Sequence, residues 1–266
     1  MATVCWSAIK PFVPEPSHRT PWPGVTLYRV RTYVKNEDQL MRKDVERLSD
    51  LYSWGDAAIG SDLDALGWPA KPSDLAARYA ILLSPVDFSD YSKDKPLRLL
   101  DVGCGLGLLL EYLAANSLLD RVDYTGVDLL DSMLKEARRR WPRYRFDQRD
   151  IRDEPYDKVK FDYCIVCGVF TVKDGNTYHE MRAFAQDTLK AVWPSVKLGL
   201  AFNSMSKHVD WERDDLFHWP LDEIMAFCKR DLGRHVTFRL DYGLWEAATL
   251  VRKEPLPRLS KVPLNW

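Results

Sequence analysis

The chain has 266 residues, 46% of them hydrophobic, which is enough for one sizeable core and too apolar for disorder throughout. Lys and Arg total 38 against 39 Asp and Glu, and a net charge of −1 gives no general field that would concentrate a polyanion such as nucleic acid. The longest apolar stretches, such as Cys164 to Phe170, fall far short of the roughly 20 residues of a membrane-spanning helix, so a soluble protein with no membrane partner is expected.

The first ten residues lack the basic region, apolar run and small-residue cleavage site of a secretory leader. Five cysteines, an odd number without framework spacing, read as reduced thiols. Both features point to a cytoplasmic location.

In chain order, residues 1–35 carry Pro11, Pro14, Pro16, Pro21, Pro23 and Gly24 with little apolar periodicity, the pattern of an extended arm. Residues 36–95 read as a helical cap. Leu40, Met41, Val45, Leu48, Leu51 and Tyr52 share one face of a first helix, and a second runs from a Ser73 cap to about Leu83, ended by Pro85. Residues 96–253 then alternate apolar strand and helix. Strands are expected at Leu97–Val102, Tyr124–Val127, Tyr144–Phe146, Phe161–Val166, Val196–Phe202, His235–Leu240 and Leu244–Val251. Helices are expected at Leu106–Asn116, Asp131–Arg140 with its own aspartate as cap, Thr177–Val192 and Leu221–Leu232. This alternation defines an α/β fold with a doubly wound, mostly parallel sheet, whose last two strands, joined by a short turn, must be antiparallel. Residues 254–266, with Pro255, Pro257 and Pro263, read as an irregular tail.

The segment Leu99-Leu100-Asp101-Val102-Gly103-Cys104-Gly105-Leu106-Gly107 is an apolar strand ending in an acid, followed by a glycine-spaced turn that opens a helix. Glycines here let a ligand approach the backbone without a Cβ in the way. A second acid, Asp128, ends the next strand, where a carboxylate can accept both ribose hydroxyls of a nucleoside. A dinucleotide fold would set pyrophosphate on the helix N-terminus. The spacing here is G-x-G-x-G rather than G-x-G-x-x-G, and Asp101 places a negative charge where the phosphates would lie. An adenosine joined to a cationic amino-acid tail suits these features, and S-adenosylmethionine is such a ligand. A nicotinamide-dependent oxidoreductase is the alternative enzyme, and a non-catalytic partner subunit that keeps the fold is the alternative outside enzymes.

Through Asp101-Val102-Gly103-Cys104-Gly105-Leu106-Gly107 the chain resembles class I S-adenosylmethionine-dependent methyltransferases over roughly residues 97–252. The resemblance implies a seven-stranded sheet with one antiparallel strand and a cofactor pocket lined by Asp101, Gly103, Cys104 and Gly105. It implies that Asp128, followed by Leu129, holds the ribose. Asp150 would accept from the adenine amine, Ile151 would pack on the ring, and Cys167 and Gly168 would line the methionine side. An upstream arginine, Arg78, is a candidate for the methionine carboxylate, with a plain helix-surface role as the alternative. Arg78-Tyr79, Gly168-Val169-Phe170 with Lys173, and Ala201-Phe202-Asn203 with Val209-Asp210 further resemble a bacterial subgroup often found on small polar or glycan acceptors.

The remaining signals are weaker. Cys164 and Cys167 have C-x-x-C spacing, but residues three apart on a strand face opposite ways, so buried thiols are expected and no metal site. Arg138, Arg139, Arg140, Arg143 and Arg145, interleaved with Trp141 and Tyr144, read as a helix end whose cations meet its dipole rather than as a nucleic-acid patch. Trp54, Trp68, Trp211 and Trp219 are packing residues or acceptor walls. Tyr178, His179, Glu180, His208 and Asp210 follow the fourth and fifth strands, at the ligand edge of such sheets, and Tyr178, His179 and His208 are the candidate proton acceptors. Asn203 can bond either an acceptor or the backbone. The expected activity is methyl transfer to an oxygen or nitrogen of a small polar or sugar-containing molecule.

Overall fold

The structure is a computed structural model that describes residues 72–255, residue 174 excepted. The proline-rich arm, the first helix of the cap and most of the tail lie outside the described residues.

Seven strands form one sheet: β1 Leu97–Val102, β2 Val122–Asp128, β3 Arg145–Gln148, β4 Phe161–Phe170, β5 Val196–Met205, β6 His235–Arg239 and β7 Glu246–Arg252. Their spatial order is β3-β2-β1-β4-β5-β7-β6, with β7 antiparallel to both neighbours and every other pairing parallel. The expected fold class is therefore present, and β7 lies between β5 and β6. The chain winds outward from β1 through β2 to β3, then crosses back to β4 on the other side of β1. That reversal makes a topological switch point at the carboxyl ends of β1 and β4, where open α/β sheets bind ligands.

Strand alternation builds two apolar layers. Leu99, Tyr163 and Ile165 face one side, with Tyr79, Leu82 and Leu83 of α1 (Pro72–Leu83), Leu109 and Leu113 of α2 (Leu108–Ala115), and Met133 and Leu134 of α3 (Asp131–Arg140). Leu100, Cys164 and Val166 face the other, with Met181, Ala185 and Leu189 of α4 (Tyr178–Val192) and Ile224 and Phe227 of α5 (Leu221–Phe227). Burial on both faces explains why β1 and β4 read as near-continuous apolar runs. Thus α1, assigned by sequence to the cap, lends its apolar face to the sheet.

Several boundaries differ from expectation. α1 begins at Pro72, so Ser73 sits inside the helix and its hydroxyl bonds Asp74 instead of capping. α3 is preceded by Leu130 as N-cap without a side-chain bond, and Asp131 pairs with Lys135 one turn on. α2 starts two residues later than expected because Gly107, at φ +77°, occupies its N-cap. The last expected helix is α-helical to Phe227 and widens into a π turn over Cys228–Leu232. α4 carries a complete capping box, with Thr177 and Glu180 exchanging side-chain and backbone bonds.

β4 runs past Val166 to Phe170 by breaking register between those residues, with Gly168 at φ +83°. Such a bulge re-aims side chains beside sites. The segment after β5 is laid along this extension: Phe217 N–H donates to Thr171 O at 2.8 Å and Trp219 N–H to Met205 O at 3.0 Å.

Candidate active site

At the end of β1, Asp101 is 3% exposed and accepts from the Tyr124 hydroxyl at 2.8 Å. Burial drives its carboxyl up to about 7, with Asp128 adding to the rise and the Tyr124 bond opposing it. Gly126, its register partner on β2, leaves room for this contact, since a Cβ there would fall 2.9 Å from the Tyr124 oxygen and 2.8 Å from Cys104 Sγ.

The turn after β1 is built from three left-handed glycines, Gly103 at φ +71°, Gly105 at +51° and Gly107 at +77°. The Gly103 and Cys104 amides donate to Val127 O at 2.8 and 3.1 Å, which locks the turn to β2. A Cβ on Gly103 would stand 2.2 Å from Val169 Cγ2, so the β4 bulge closes directly over the first glycine. Asp128 at the end of β2 accepts from Gly105 N–H at 2.9 Å and Leu130 N–H at 3.0 Å. A carboxylate offers about four lone-pair sites, so these bonds fix Asp128 at the turn and leave acceptor capacity for hydroxyls. Burial raises its carboxyl above the usual range, against those same amide bonds. The bare turn and its two carboxylates fit a nucleoside with a cationic tail. Leu129 beside it is half-buried, with its carbonyl accepting from Gln148.

Asp150 is half-buried in an ion pair with Arg152 at 2.6 Å; burial pushes its carboxyl up, and the Arg152 bonds more than reverse this and leave it below the usual value. Ile151 is buried in the layer with Leu100, Val102 and Val127. Cys167 is half-buried at the bulge, against the layer opposite that of Cys164, so the C-x-x-C pair is divided between the two faces. Burial raises its thiol well above the ordinary value, and the charge of Glu246 adds to this. Among the described residues no group of three His, Cys, Asp or Glu side chains is placed to hold a metal ion.

Arg78 is not on the helix surface. It is largely buried, with Nε donating to Glu246 Oε1 of β7 at 2.6 Å. Glu246, 2% exposed, also accepts from Asn203 Nδ2 at 2.9 Å. Asn203 in turn accepts Gly168 N–H at 2.8 Å, so its bond is to backbone. Sequence reading missed Glu246, whose neighbours Trp245 and Ala247 gave it the look of an ordinary strand residue.

The three candidate proton acceptors stand in different surroundings. The Tyr178 hydroxyl donates to Glu223 at 2.8 Å and braces α4 against α5, while burial and then that bond raise its phenol well above the usual range. His179 is exposed beside it, edge-on to the Tyr178 ring. His208 is exposed on the loop after β5, where its amide bonds Ser206 Oγ at 2.9 Å, and Asp210 is exposed on the same loop. An imidazole that sequence reading did not single out, His218, is buried, with Nδ1 at 2.7 Å from Ser206 O and Nε2 accepting Arg213 N–H at 3.1 Å. It pins that loop. In the basic run, Arg139 and Arg140 in the last turn of α3 pair with Glu136, and Arg145 on β3 pairs with Asp147.

The family model described as "Methyltransferase domain" matches residues 99–191. A Mycobacterium tuberculosis H37Rv protein, Rv1506c, provisionally named a methyltransferase, is 32% identical over 164 residues, which span 59% of this chain and 94% of that protein. The chain belongs to the class I S-adenosylmethionine-dependent methyltransferases, and S-adenosylmethionine is its cofactor.

Solved structures share the fold at low identity. Human N-acetylserotonin methyltransferase in complex with S-adenosylmethionine matches at TM-score 0.54 and 14% identity, covering 78% of this chain and 59% of that one. The 1,6-didemethyltoxoflavin-N1-methyltransferase of Burkholderia thailandensis matches at TM-score 0.51 and 17% identity, covering 84% and 92%. Magnesium protoporphyrin IX methyltransferase of Synechocystis PCC 6803 matches at TM-score 0.50 and 14% identity, covering 83% and 100%.

Proposed function

We propose that this methyltransferase acts on an oxygen or nitrogen nucleophile of a small polar or sugar-containing acceptor. The observation that carries this reading is the polar and aromatic character of the sheet edge beyond the glycine turn. Trp211 and Trp245 are 70% and 61% exposed there, and Ser206 N–H to Trp245 O at 3.3 Å joins the loop after β5 to the start of β7. Exposed indoles beside polar side chains suit the flat face and hydroxyls of a sugar-like molecule.

When bound, S-adenosylmethionine supplies a methyl group on a positively charged sulfur, already electrophilic without help from the protein. Asp101 draws in the cationic amino-acid tail, and Asp128 accepts the ribose hydroxyls with the oxygen lone pairs that Gly105 and Leu130 leave open. The side chains of Asp150 and Ile151, with Leu129, border the adenine, and Cys104, Cys167 and Val169 wall the sulfur side against water. The chain's chief task is to hold two reactants in line and dry. His208 and His179, exposed and without hydrogen bonds to their rings among the described residues, accept the acceptor's proton. Tyr178, committed to Glu223, positions α4.

The test is incubation of the purified protein with methyl-labelled S-adenosylmethionine and a panel of hydroxylated, glycosylated and amine-bearing small molecules. Label on an oxygen or nitrogen of a polar acceptor supports the reading. Label confined to lipid or protein fractions defeats the acceptor class. Tight cofactor binding with no transfer to any fraction marks a non-catalytic partner subunit instead.

A further inference from the structure

We infer that Asn203 is a positioning residue for cofactor binding: through Gly168 it holds the β4 bulge that lays Val169 against Gly103, and Glu246 and Arg78 hold Asn203 in turn. The inference rests on the glycine turn being the cofactor site.

Asn203 is fully buried on β5, where an amide must find partners for both its ends. Its orientation is dictated, because a carboxylate only accepts and a backbone N–H only donates. Nδ2 therefore faces Glu246 at 2.9 Å and Oδ1 faces Gly168 N–H at 2.8 Å. Glu246 is anchored from a third element by Arg78 Nε at 2.6 Å and touched by the Tyr242 hydroxyl at 3.4 Å.

The far end of this chain of bonds is the place where β4 leaves its ladder. Gly168 lies inside the register shift, at φ +83°, with its N–H turned to Asn203 and its carbonyl accepting from Thr171 Oγ1 at 2.7 Å. A bulged residue has no ladder partner of its own, so these two side chains supply what the strand cannot. The next residue is Val169, whose Cγ2 would lie 2.2 Å from a Cβ on Gly103. One continuous path thus runs from α1 through β7, β5 and β4 to the first glycine of the turn. A buried ion pair contributes little net stability compared with apolar packing, so a network of this kind is better explained by the single conformation it specifies.

The test is a double-mutant cycle on binding of S-adenosylhomocysteine by calorimetry, with the full chain and the variants Asn203→Leu, Val169→Ala and both together. Asn203→Leu is expected to weaken binding at least tenfold and Val169→Ala several-fold, while the double variant binds no more weakly than Asn203→Leu alone, since both act through the same wall. A merely structural role for Asn203 lowers the melting temperature and makes the two losses multiply. If Asn203→Leu does not fold, Asn203→Ser, too short to reach both Gly168 and Glu246, takes its place. Affinity within twofold of the wild type in either Asn203 variant, or multiplied losses, overturns the inference while leaving the cofactor site intact. Absence of binding by the wild type, or undiminished binding by Gly105→Arg, overturns the site itself and the inference with it.

Discussion

A carboxyl that burial pushes to about 7 makes Asp101 a proton-linked part of the proposed cofactor site. The free folded protein keeps a proton on Asp101 that the unfolded chain releases above about pH 4, so this group makes folding less favourable as pH rises through that window. The slope is at most about 1.4 kcal/mol per pH unit and fades near pH 7. Melting of the wild type measured against Asp101→Asn from about pH 4 to about pH 8 should show the wild type losing ground, then levelling. A cationic ligand favours the charged form, so S-adenosylmethionine should bind more tightly as pH rises to about 7, with proton release below it. Calorimetry in two buffers of different ionisation enthalpy reads that proton directly, and none released at about pH 6 would contradict the role given to Asp101. Gly103 and Gly243 separate backbone strain from site closure, for both have positive φ, but a Cβ at Gly243 meets nothing within 4 Å. Gly243→Ala should cost about 1 kcal/mol and leave cofactor affinity unchanged. Gly103→Ala should cost more and weaken the cofactor as well, because Val169 must move.

Among the elements, α4 and α1 make contrasting contributions. The capping box of α4 satisfies the amides of Thr177 and Glu180, which have no partner within the helix. Thr177→Ala should lower stability by about 1 kcal/mol without altering cofactor affinity, as denaturant titration and calorimetry would show. α1 instead carries Arg78, whose loss leaves Glu246 charged and buried. Arg78→Met should cost about 3–5 kcal/mol, and Arg78→Met with Glu246→Leu should recover much of that stability. Denaturant midpoints of the two variants decide this, and equal midpoints would mean that the ion pair is not what α1 contributes.

For the whole molecule, a cofactor bound where proposed, at the β1 and β4 strand ends, ties its occupancy to stability. A ligand that binds only the folded state at about 100 times its dissociation constant stabilises by about 3 kcal/mol. For a chain of this length that raises the melting temperature by roughly 5–10 °C. S-adenosylhomocysteine should produce that shift and NADH should not, if Asp101 sets its charge beside the turn as proposed. A larger shift with NADH would contradict the assignment of the turn.

The sequence alone determined the features that local chemistry dictates. Apolar runs near β1 and β4 announced strands buried on both faces, and the period of α3 and α4 announced amphipathic helices. The spacing of Gly103, Gly105 and Gly107 between Asp101 and Asp128 announced a nucleoside-binding turn, because a ligand against bare backbone leaves a mark in residue type. Tertiary structure decided what depends on residues far apart in the chain. Arg78 and Glu246 stand 168 positions apart, and Gly168 and Asn203 stand 35 apart. No local periodicity encodes such pairings. The bulge was hidden for the same reason, since two extra residues in β4 change its register against β5 without changing composition. Whether a histidine stands exposed on a loop or pins one, as His208 and His218 divide the two, follows from what surrounds the ring, and only the folded chain supplies those surroundings.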